Sequence, residues 1–266
     1  MIHACIFDTG TIVDKYSGSV FFSLKRAFLR NNIRLTDKET FETEKSIDHQ
    51  IKDIMSGVHF QKKWFNEYKR FPEYRDVDVV YEDFKTEYNI ASKTVTVLDE
   101  TQACFEYLKD KGIKVCVTSS YDKLNLDIIL SGLDRGGLHV DAATYSIGSN
   151  GSTRDMVSIL QSSLGLENHQ IIKFDDTPWA IGAAKECGYL SVGVSRWSSL
   201  MRMTEPEDIQ GCGLMTSHEY KIKCRLTRDR LIDAGADYVI NDLSEIDDLF
   251  DELTGGYSKG VIPYRQ

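Results

Sequence analysis

The sequence predicts an α/β protein built on a parallel sheet, with one all-helical insert near its N-terminus. Three segments repeat the order of a helical pattern, a glycine and a short β-branched run: "FEYLKDKG-IKVCVTSS", "AAKECG-YLSVGVS" and "LIDAG-ADYVI". Glycine supplies the left-handed conformation that ends a helix, and the apolar run after it is typical of a buried strand. Strands that alternate with helices predict a parallel sheet covered on both faces.

Three further apolar runs complete the predicted sheet. They are "HACIF" at 3–7, "AATYSI" at 142–147 and "IIKF" at 171–174, which brings the number of predicted strands to about six. Ligands bind to such sheets outside the carboxyl ends of the strands. The residues that follow each run are therefore the candidates for chemistry.

Residues 17–96 interrupt this alternation and predict helices only. Thr36 and Glu39 form the two ends of a capping box, which predicts the start of a helix. Apolar residues recur at helical spacing in two stripes that we interpret as core: Phe21, Leu24 and Phe28, and Val80, Phe84 and Tyr88. We predict a helical domain at 17–96 and a discontinuous sheet domain formed by 1–16 and 97–266.

The composition excludes several classes of protein. With 266 residues, 41% of them hydrophobic, the chain can bury one large core. Its net charge of −9 disfavours nucleic acid or an anionic membrane surface as a partner, although local groups could still bind a small phosphorylated molecule. The six cysteines have no CxxC spacing, and no apolar run reaches the roughly 18 residues of a membrane span. We expect a cytoplasmic protein with reduced thiols.

Carboxylates and hydroxyls follow three of the predicted strands. Asp8 follows the first strand, Ser119 and Ser120 follow "KVCVT", and Asp175 and Asp176 follow "IIKF". If these loops converge, they can hold Mg²⁺ and a phosphoryl group, with one carboxylate free to attack phosphorus. The alternative is that they are ordinary turn residues, since Asp and Ser favour loops.

Several motifs resemble those of the haloacid dehalogenase superfamily. "FDTGT", "VTSSYD" and "KFDDTPWAIGAAKECG" are similar to its successive motifs, and the helical insert lies where that superfamily has its cap. "KSIDHQIKDIMS", "FPEYRDVDVVYEDF" and "SVGVSRWSSLMRMTEPEDI" are similar to parts of the phosphonoacetaldehyde hydrolase (phosphonatase) subfamily. The resemblance covers roughly residues 1 to 250, and it implies a Rossmann-like core with an all-helical cap.

The resemblance implies a nucleophile and a metal site. Asp8 matches the residue that attacks phosphorus, and Mg²⁺ would be held by Asp8, the Gly10 carbonyl and Asp176. Ala180 stands where the family has a second metal acid, and Asp175, which replaces a glycine, could compensate as a ligand.

Within the insert, the resemblance implies a Schiff base between a lysine and the substrate aldehyde. Ser46 stands at that lysine's position, and Lys45 is its neighbour. Lys45 and His49, which matches the family's assisting histidine, are i, i+4 neighbours on a helix, so a slightly turned helix could present both. The alternative for Lys45 is a solvated lysine. The resemblance also implies a homodimer formed through the cap.

The residues expected to bind the phosphoryl group match only in part. Ser119 stands at the family's hydroxyl position, Ser120 replaces a glycine, and Tyr121 matches an aromatic residue. Ser152 occupies the place of the third-motif base, and Arg154 is two residues further on. Arg154 could reach the phosphoryl group or could be a surface charge at a helix start.

These observations leave two functions open. The first is a Mg²⁺-dependent hydrolase that acts on a small phosphonate or phosphate through an aspartyl-phosphate on Asp8. The second is an inert relative with a ligand-binding, regulatory or structural role. The loop after Asp8 is one residue shorter than in the family and puts Gly10 where phosphatases have their acid–base Asp. A missing general acid costs about 10²- to 10⁴-fold when an alkoxide must leave. A dinucleotide-dependent oxidoreductase is disfavoured because GxGxxG is missing after the first strand.

Overall fold

The computed structural model describes residues 1–13, 20–36, 39–40, 58–91, 96–119, 123–145, 152–201 and 218–255. Five residues discussed above lie outside these ranges: Lys45, Ser46, His49, Ser120 and Tyr121.

Six parallel strands form one sheet in the order β3-β2-β1-β4-β5-β6. The strands are β1 (Ala4–Asp8), β2 (Lys114–Ser119), β3 (Ala142–Tyr145), β4 (Ile171–Asp175), β5 (Leu190–Val194) and β6 (Tyr238–Ile240). The predicted α/β fold class is confirmed, and this strand order is that of a doubly wound Rossmann-like sheet.

Nine helices accompany the sheet in the described part of the chain. They are α1 (Val20–Arg30), α2 (Val58–Tyr68), α3 (Tyr74–Ala91), α4 (Asp99–Asp110), α5 (Lys123–Arg135), α6 (Thr153–Leu164), α7 (Pro178–Glu186), α8 (His218–Asp233) and α9 (Ile246–Leu253). None of these helices combines the length and the apolar character that crossing a membrane requires.

The three predicted helix–glycine–strand junctions are confirmed. Gly112, Gly188 and Gly235 have φ angles of +70°, +76° and +100°, and each lies between a helix and the following strand. Residues with a Cβ adopt this left-handed conformation at a cost, so glycine allows each helix to end and the chain to turn into the sheet.

Side chains of the central strands alternate between two hydrophobic clusters on opposite faces of the sheet. On one face the rings of Phe7 and Phe174 stack with centroids 4.6 Å apart, and Phe105 of α4 lies 5.4 Å from Phe7. On the other face Ile6 of β1 belongs to a cluster with Leu160 of α6. Because both faces are packed, the sheet holds its strand ends in fixed positions.

The helices of the insert share a separate hydrophobic cluster. Leu24 and Phe28 of α1 are buried with Val80, Phe84 and Tyr88 of α3, which confirms these members of both predicted stripes as core. The side chain of Phe21 is outside the description.

Polar contacts also stabilise the insert. Glu87 of α3 is buried and forms ion pairs with Arg30 at 2.5 Å and with Arg26 at 3.5 Å. The predicted capping box is confirmed, since the Thr36 backbone N–H donates to Glu39 at 2.9 Å and the Glu39 N–H donates to Thr36 Oγ1 at 3.2 Å.

The chain segments on either side of the insert lie next to each other. Val13 and Val97 form an antiparallel bridge, and the Thr101 hydroxyl donates to the Ile12 carbonyl at 2.9 Å. The insert therefore leaves and re-enters the sheet region at one point. The division into a domain of 1–16 with 97–266 and a domain of 17–96 stays a prediction.

Candidate active site

Residues whose side chains could take part in phosphoryl chemistry stand at the carboxyl ends of three adjacent strands. β1 lies between β2 and β4, so Asp8 ends the central strand of the three, with Ser119 at the end of β2 and Asp175 and Asp176 at the end of β4. The strand order reverses between β1 and β4, and ligands of doubly wound sheets bind at such a switch point.

The loop after β1 forms a tight 3₁₀ turn that uses Asp8 as its cap. The Gly10 N–H donates to Asp8 Oδ2 at 2.7 Å, and the Thr11 hydroxyl donates to the Asp8 carbonyl at 2.7 Å. These bonds satisfy backbone groups that a 3₁₀ turn leaves open. The loop thus has a defined conformation, with one oxygen of the Asp8 carboxylate bound to the Gly10 N–H.

Asp175 organises the turn that follows β4. Its Oδ1 accepts hydrogen bonds from the Asp176 N–H at 2.9 Å, the Thr177 N–H at 3.1 Å and the Thr177 hydroxyl at 3.0 Å. Its Oδ2 forms an ion pair with Lys173 Nζ at 2.9 Å. Both oxygens are engaged, so a metal bound to Asp175 would compete with these donors. Its predicted role as a metal ligand stays a prediction.

Lys173 is a site residue that the sequence reasoning missed. Its side chain is fully buried, and Nζ donates to Thr118 Oγ1 at 3.1 Å and to the Phe174 carbonyl at 2.9 Å, besides the ion pair with Asp175. The available signal was a lysine inside the apolar run "IIKF", because a charged residue in a central strand needs a partner.

Burial and neighbouring carboxylates make Asp8 a weaker acid than an ordinary aspartic acid. Burial and the charges of Asp175 and Asp176 raise the pKa of Asp8 from 3.8 to about 7, while the Lys173 charge and the Gly10 N–H act in the opposite direction. The ionised carboxylate is therefore unfavourable in the folded, metal-free protein.

This raised pKa predicts a pH dependence of stability. Asp8 favours the folded state below its unfolded pKa of 3.8, and that contribution is lost as the pH rises through about 7. In EDTA, the wild type should lose about 3 kcal/mol more than Asp8→Asn between pH 5 and pH 8. Urea unfolding of both proteins at the two pH values measures the difference. Equal losses in the two proteins would contradict the assignment to Asp8.

The residue types at this point are those that bind divalent cations. Three carboxylates face one lysine among the described residues, and carboxylate and carbonyl oxygens are the ligands that Mg²⁺ prefers. Asp8, Asp176 and the Gly10 carbonyl are the candidate ligands. Asp176 is buried, and its carbonyl accepts a hydrogen bond from the Ser198 hydroxyl at 2.6 Å. The described residues contain no cluster of three His, Cys, Asp or Glu side chains placed to hold a metal. A carbonyl ligand would therefore have to complete the set.

Ser152 and Arg154 have other partners in the structure. Ser152 caps α6, where its hydroxyl accepts from the Asp155 N–H at 3.2 Å and the Asp155 carboxylate accepts from the Ser152 N–H at 3.1 Å. Arg154 forms an ion pair with Glu186 at 2.9 Å, and both side chains are exposed. The predicted phosphoryl contact of Arg154 stays a prediction that would require this surface pair to break. Ala180 is buried in α7.

Comparison with known proteins identifies the family. A model described as haloacid dehalogenase-like hydrolase matches residues 2–188. The chain belongs to the haloacid dehalogenase-like hydrolases.

Curated relatives of this haloacid dehalogenase-like hydrolase carry a more specific name. A Bacillus cereus (strain B4264) protein named phosphonoacetaldehyde hydrolase is 24% identical over 260 residues, which cover 95% of this chain and 96% of the relative. One of the same name from Latilactobacillus sakei is 26% identical over 261 residues, covering 92% and 93%.

Solved structures share the fold of this haloacid dehalogenase-like hydrolase. A phosphonoacetaldehyde hydrolase like protein from Oleispira antarctica superposes with a TM-score of 0.79 at 20% identity and covers 97% of this chain and 96% of its own. A predicted phosphoglycolate phosphatase from Haemophilus somnus has a TM-score of 0.68 at 15% identity, with coverages of 94% and 98%. At such identities the likeness concerns the fold alone.

Proposed function

We propose that this protein is a Mg²⁺-dependent hydrolase that acts on a small phosphonate or phosphate through an aspartyl-phosphate on Asp8. The observation that supports the proposal is that Asp8, Ser119 and Asp176 stand at or directly after the carboxyl ends of three adjacent strands. Membership of the hydrolase family and relatives named phosphonoacetaldehyde hydrolase support it.

Asp8 would act as the nucleophile in the first step. A carboxylate oxygen attacks phosphorus, the bond from phosphorus to carbon or oxygen breaks, and the leaving atom keeps the electron pair. A carbanion or alkoxide released in this way then takes a proton from water, whereas a released carboxylate needs none. In the second step water attacks the aspartyl-phosphate, which releases inorganic phosphate and restores the Asp8 carboxylate. The Ser119 hydroxyl at the end of β2 would donate a hydrogen bond to a phosphoryl oxygen.

The residue at position 10 restricts the substrate class. Gly10 has no side chain that could protonate a leaving alkoxide, so simple phosphate esters should be poor substrates. Groups that leave without a proton from the protein suit this site better, such as a carbanion stabilised by a neighbouring carbonyl or the carboxylate released from an acyl phosphate. Lys45 and His49, expected to activate an aldehyde substrate, stay predictions.

Bound Mg²⁺ would neutralise charge on the phosphoryl oxygens, and Asp8, the Gly10 carbonyl and Asp176 would hold it. The raised pKa of Asp8 is consistent with this role, because buried carboxylates without enough counter-charge favour a cation.

A second function, ligand binding without catalysis, is favoured by the surroundings of the third motif. Ser152 stands where the family has a base, and its hydroxyl and N–H are used to cap α6. Ala180 replaces a metal acid. A protein of this kind would bind an anion or a protein partner and turn over no substrate.

Thermal unfolding with Mg²⁺ and beryllofluoride, which mimics a phosphoryl group on an aspartate, separates the two functions. We expect the melting temperature of the wild type to rise by about 5 °C or more when both are present, because the pair binds only the folded state. Asp176→Asn should lose most of this rise, whereas Asp127→Asn on the exposed surface of α5 should keep it. No rise in the wild type would contradict the hydrolase and favour the binding protein.

A further inference from the structure

The buried Lys173 ammonium lies across the strand that carries Asp8. It donates to Thr118 of β2 at 3.1 Å and to Asp175 of β4 at 2.9 Å. β1 runs between β2 and β4, and Asp8 pairs in register with Thr118. Neighbouring strands are about 4.8 Å apart, so a group that bridges the two outer strands must lie over the central one. The ammonium is therefore next to the end of β1.

The pleat of the sheet places the same groups on one face. Lys173 pairs with Ile6, and residues two apart on a strand point to the same side. Asp8 is two residues after Ile6, and Asp175 is two residues after Lys173, so both carboxylates share the face on which Lys173 lies. Thr118, which pairs with Asp8, lies on this face as well.

Stability alone does not account for a lysine at this position. Replacing a buried ion pair by apolar side chains of similar volume is often neutral or stabilising. The surroundings of Lys173 are apolar toward the middle of the sheet, where Ile6 and Ile171 are fully buried on the same face. The charge lies instead at the strand ends, where its neighbours are the carboxylates of Asp8 and Asp175.

We propose that Lys173 is the positioning residue that supplies the positive charge behind Asp8, in place of the basic residue that is missing at Ser152. An ammonium has three N–H donors, and these are used by Thr118, the Phe174 carbonyl and Asp175. Lys173 thus acts without touching the substrate. It offsets the carboxylates that would otherwise repel an incoming phosphoryl dianion, and it holds Asp175 in the turn beside Asp176. Its charge also opposes the rise in the pKa of Asp8.

The inference rests on the proposed function, and one titration tests both. At saturating Mg²⁺, the beryllofluoride concentration that gives half of the thermal stabilisation is measured for wild type and Lys173→Met. We expect the variant to require at least about 10-fold more beryllofluoride, because the methionine removes the charge but keeps most of the volume. A purely structural lysine would lower the melting temperature of the free variant and leave this concentration unchanged.

Lys185→Met is the matched control, since Lys185 forms an ion pair with Asp237 at the opposite end of the sheet. The beryllofluoride concentration that gives half of the stabilisation should agree with that of the wild type within about twofold. If Lys173→Met does not fold, Lys173→Met combined with Asp175→Asn removes both charges of the pair, and the same 10-fold weakening is expected relative to Asp175→Asn alone.

The outcomes separate the two proposals. The role of Lys173 is overturned if Lys173→Met reaches half of its thermal stabilisation at the same beryllofluoride concentration as the wild type. The same holds if the double variant needs no more beryllofluoride than Asp175→Asn. Either result leaves the hydrolase proposal standing. A wild type that beryllofluoride does not stabilise overturns the hydrolase, and the role of Lys173 with it.

Discussion

Asp8→Asn should reduce hydrolysis by on the order of 10³-fold or more, because the amide oxygen cannot take part as a nucleophile. The assay measures inorganic phosphate released in Mg²⁺ from phosphonoacetaldehyde, acetyl phosphate and a simple phosphate monoester. Among these substrates, the wild type should prefer the first two, since Gly10 offers no acid for an alkoxide. The fold should persist in the variant, because asparagine can still accept the hydrogen bond from the Gly10 N–H at the start of the 3₁₀ turn.

The control for this variant is Asp127→Asn. Asp127 lies on the exposed face of α5 and pairs with Lys123 at 2.6 Å, and its replacement should leave the rates unchanged. If Asp8→Asn kept turnover within tenfold of the wild type, the chemistry would have to occur elsewhere. If neither protein released phosphate, the binding function would gain support.

Phe174→Ala should lower the free energy of unfolding by about 3–5 kcal/mol, the cost of emptying a fully packed aromatic site. Phe174 is fully buried, stacks on Phe7 at 4.6 Å and lies between Lys173 and Asp175 in β4. The cavity would form directly beneath the strand ends, so the turn that holds Asp175 and Asp176 should loosen as well. Urea unfolding monitored by circular dichroism measures the loss.

Phe71→Ala is the size-matched control for this prediction. Phe71 is 65% exposed, and its replacement should cost less than about 1 kcal/mol. Equal effects for the two variants would show that the stacking of Phe7 and Phe174 contributes little to the stability of the sheet.

Much of the fold could be predicted because its signals are local. The glycines at 112, 188 and 235 mark the helix ends through their positive φ angles, which depend on neighbouring atoms alone. The stripe of Val80, Phe84 and Tyr88 predicts one buried helix face by its spacing, and these side chains are buried in α3. Local patterns left the pairing of strands open, since hydrogen bonds between strands join residues far apart in the chain.

The candidate site could be predicted only in part. Asp8, Ser119, Asp175 and Asp176 were identified because each follows an apolar run, where a parallel sheet exposes its carboxyl ends. Lys173 was missed because its partner Thr118 belongs to another strand and is 55 residues away in the chain. The sequence also could not decide whether Arg154 contacts the phosphoryl group or lies on the surface. Its ion pair with Glu186 depends on the packing of α6 beside α7.

The sequence by itself determined the alternation of strands and helices, the helical insert and the carboxylate that ends the first strand. These follow from periodicity, turn residues and the chemistry of single side chains, all of which can be read within a short window. Only the tertiary structure decided that β1 lies between β2 and β4, and that the buried Lys173 reaches Thr118 across the strand that carries Asp8. The physical reason is that electrostatic and hydrogen-bond partners depend on distance in space. The separation of two residues along the chain says little about their distance in the folded protein.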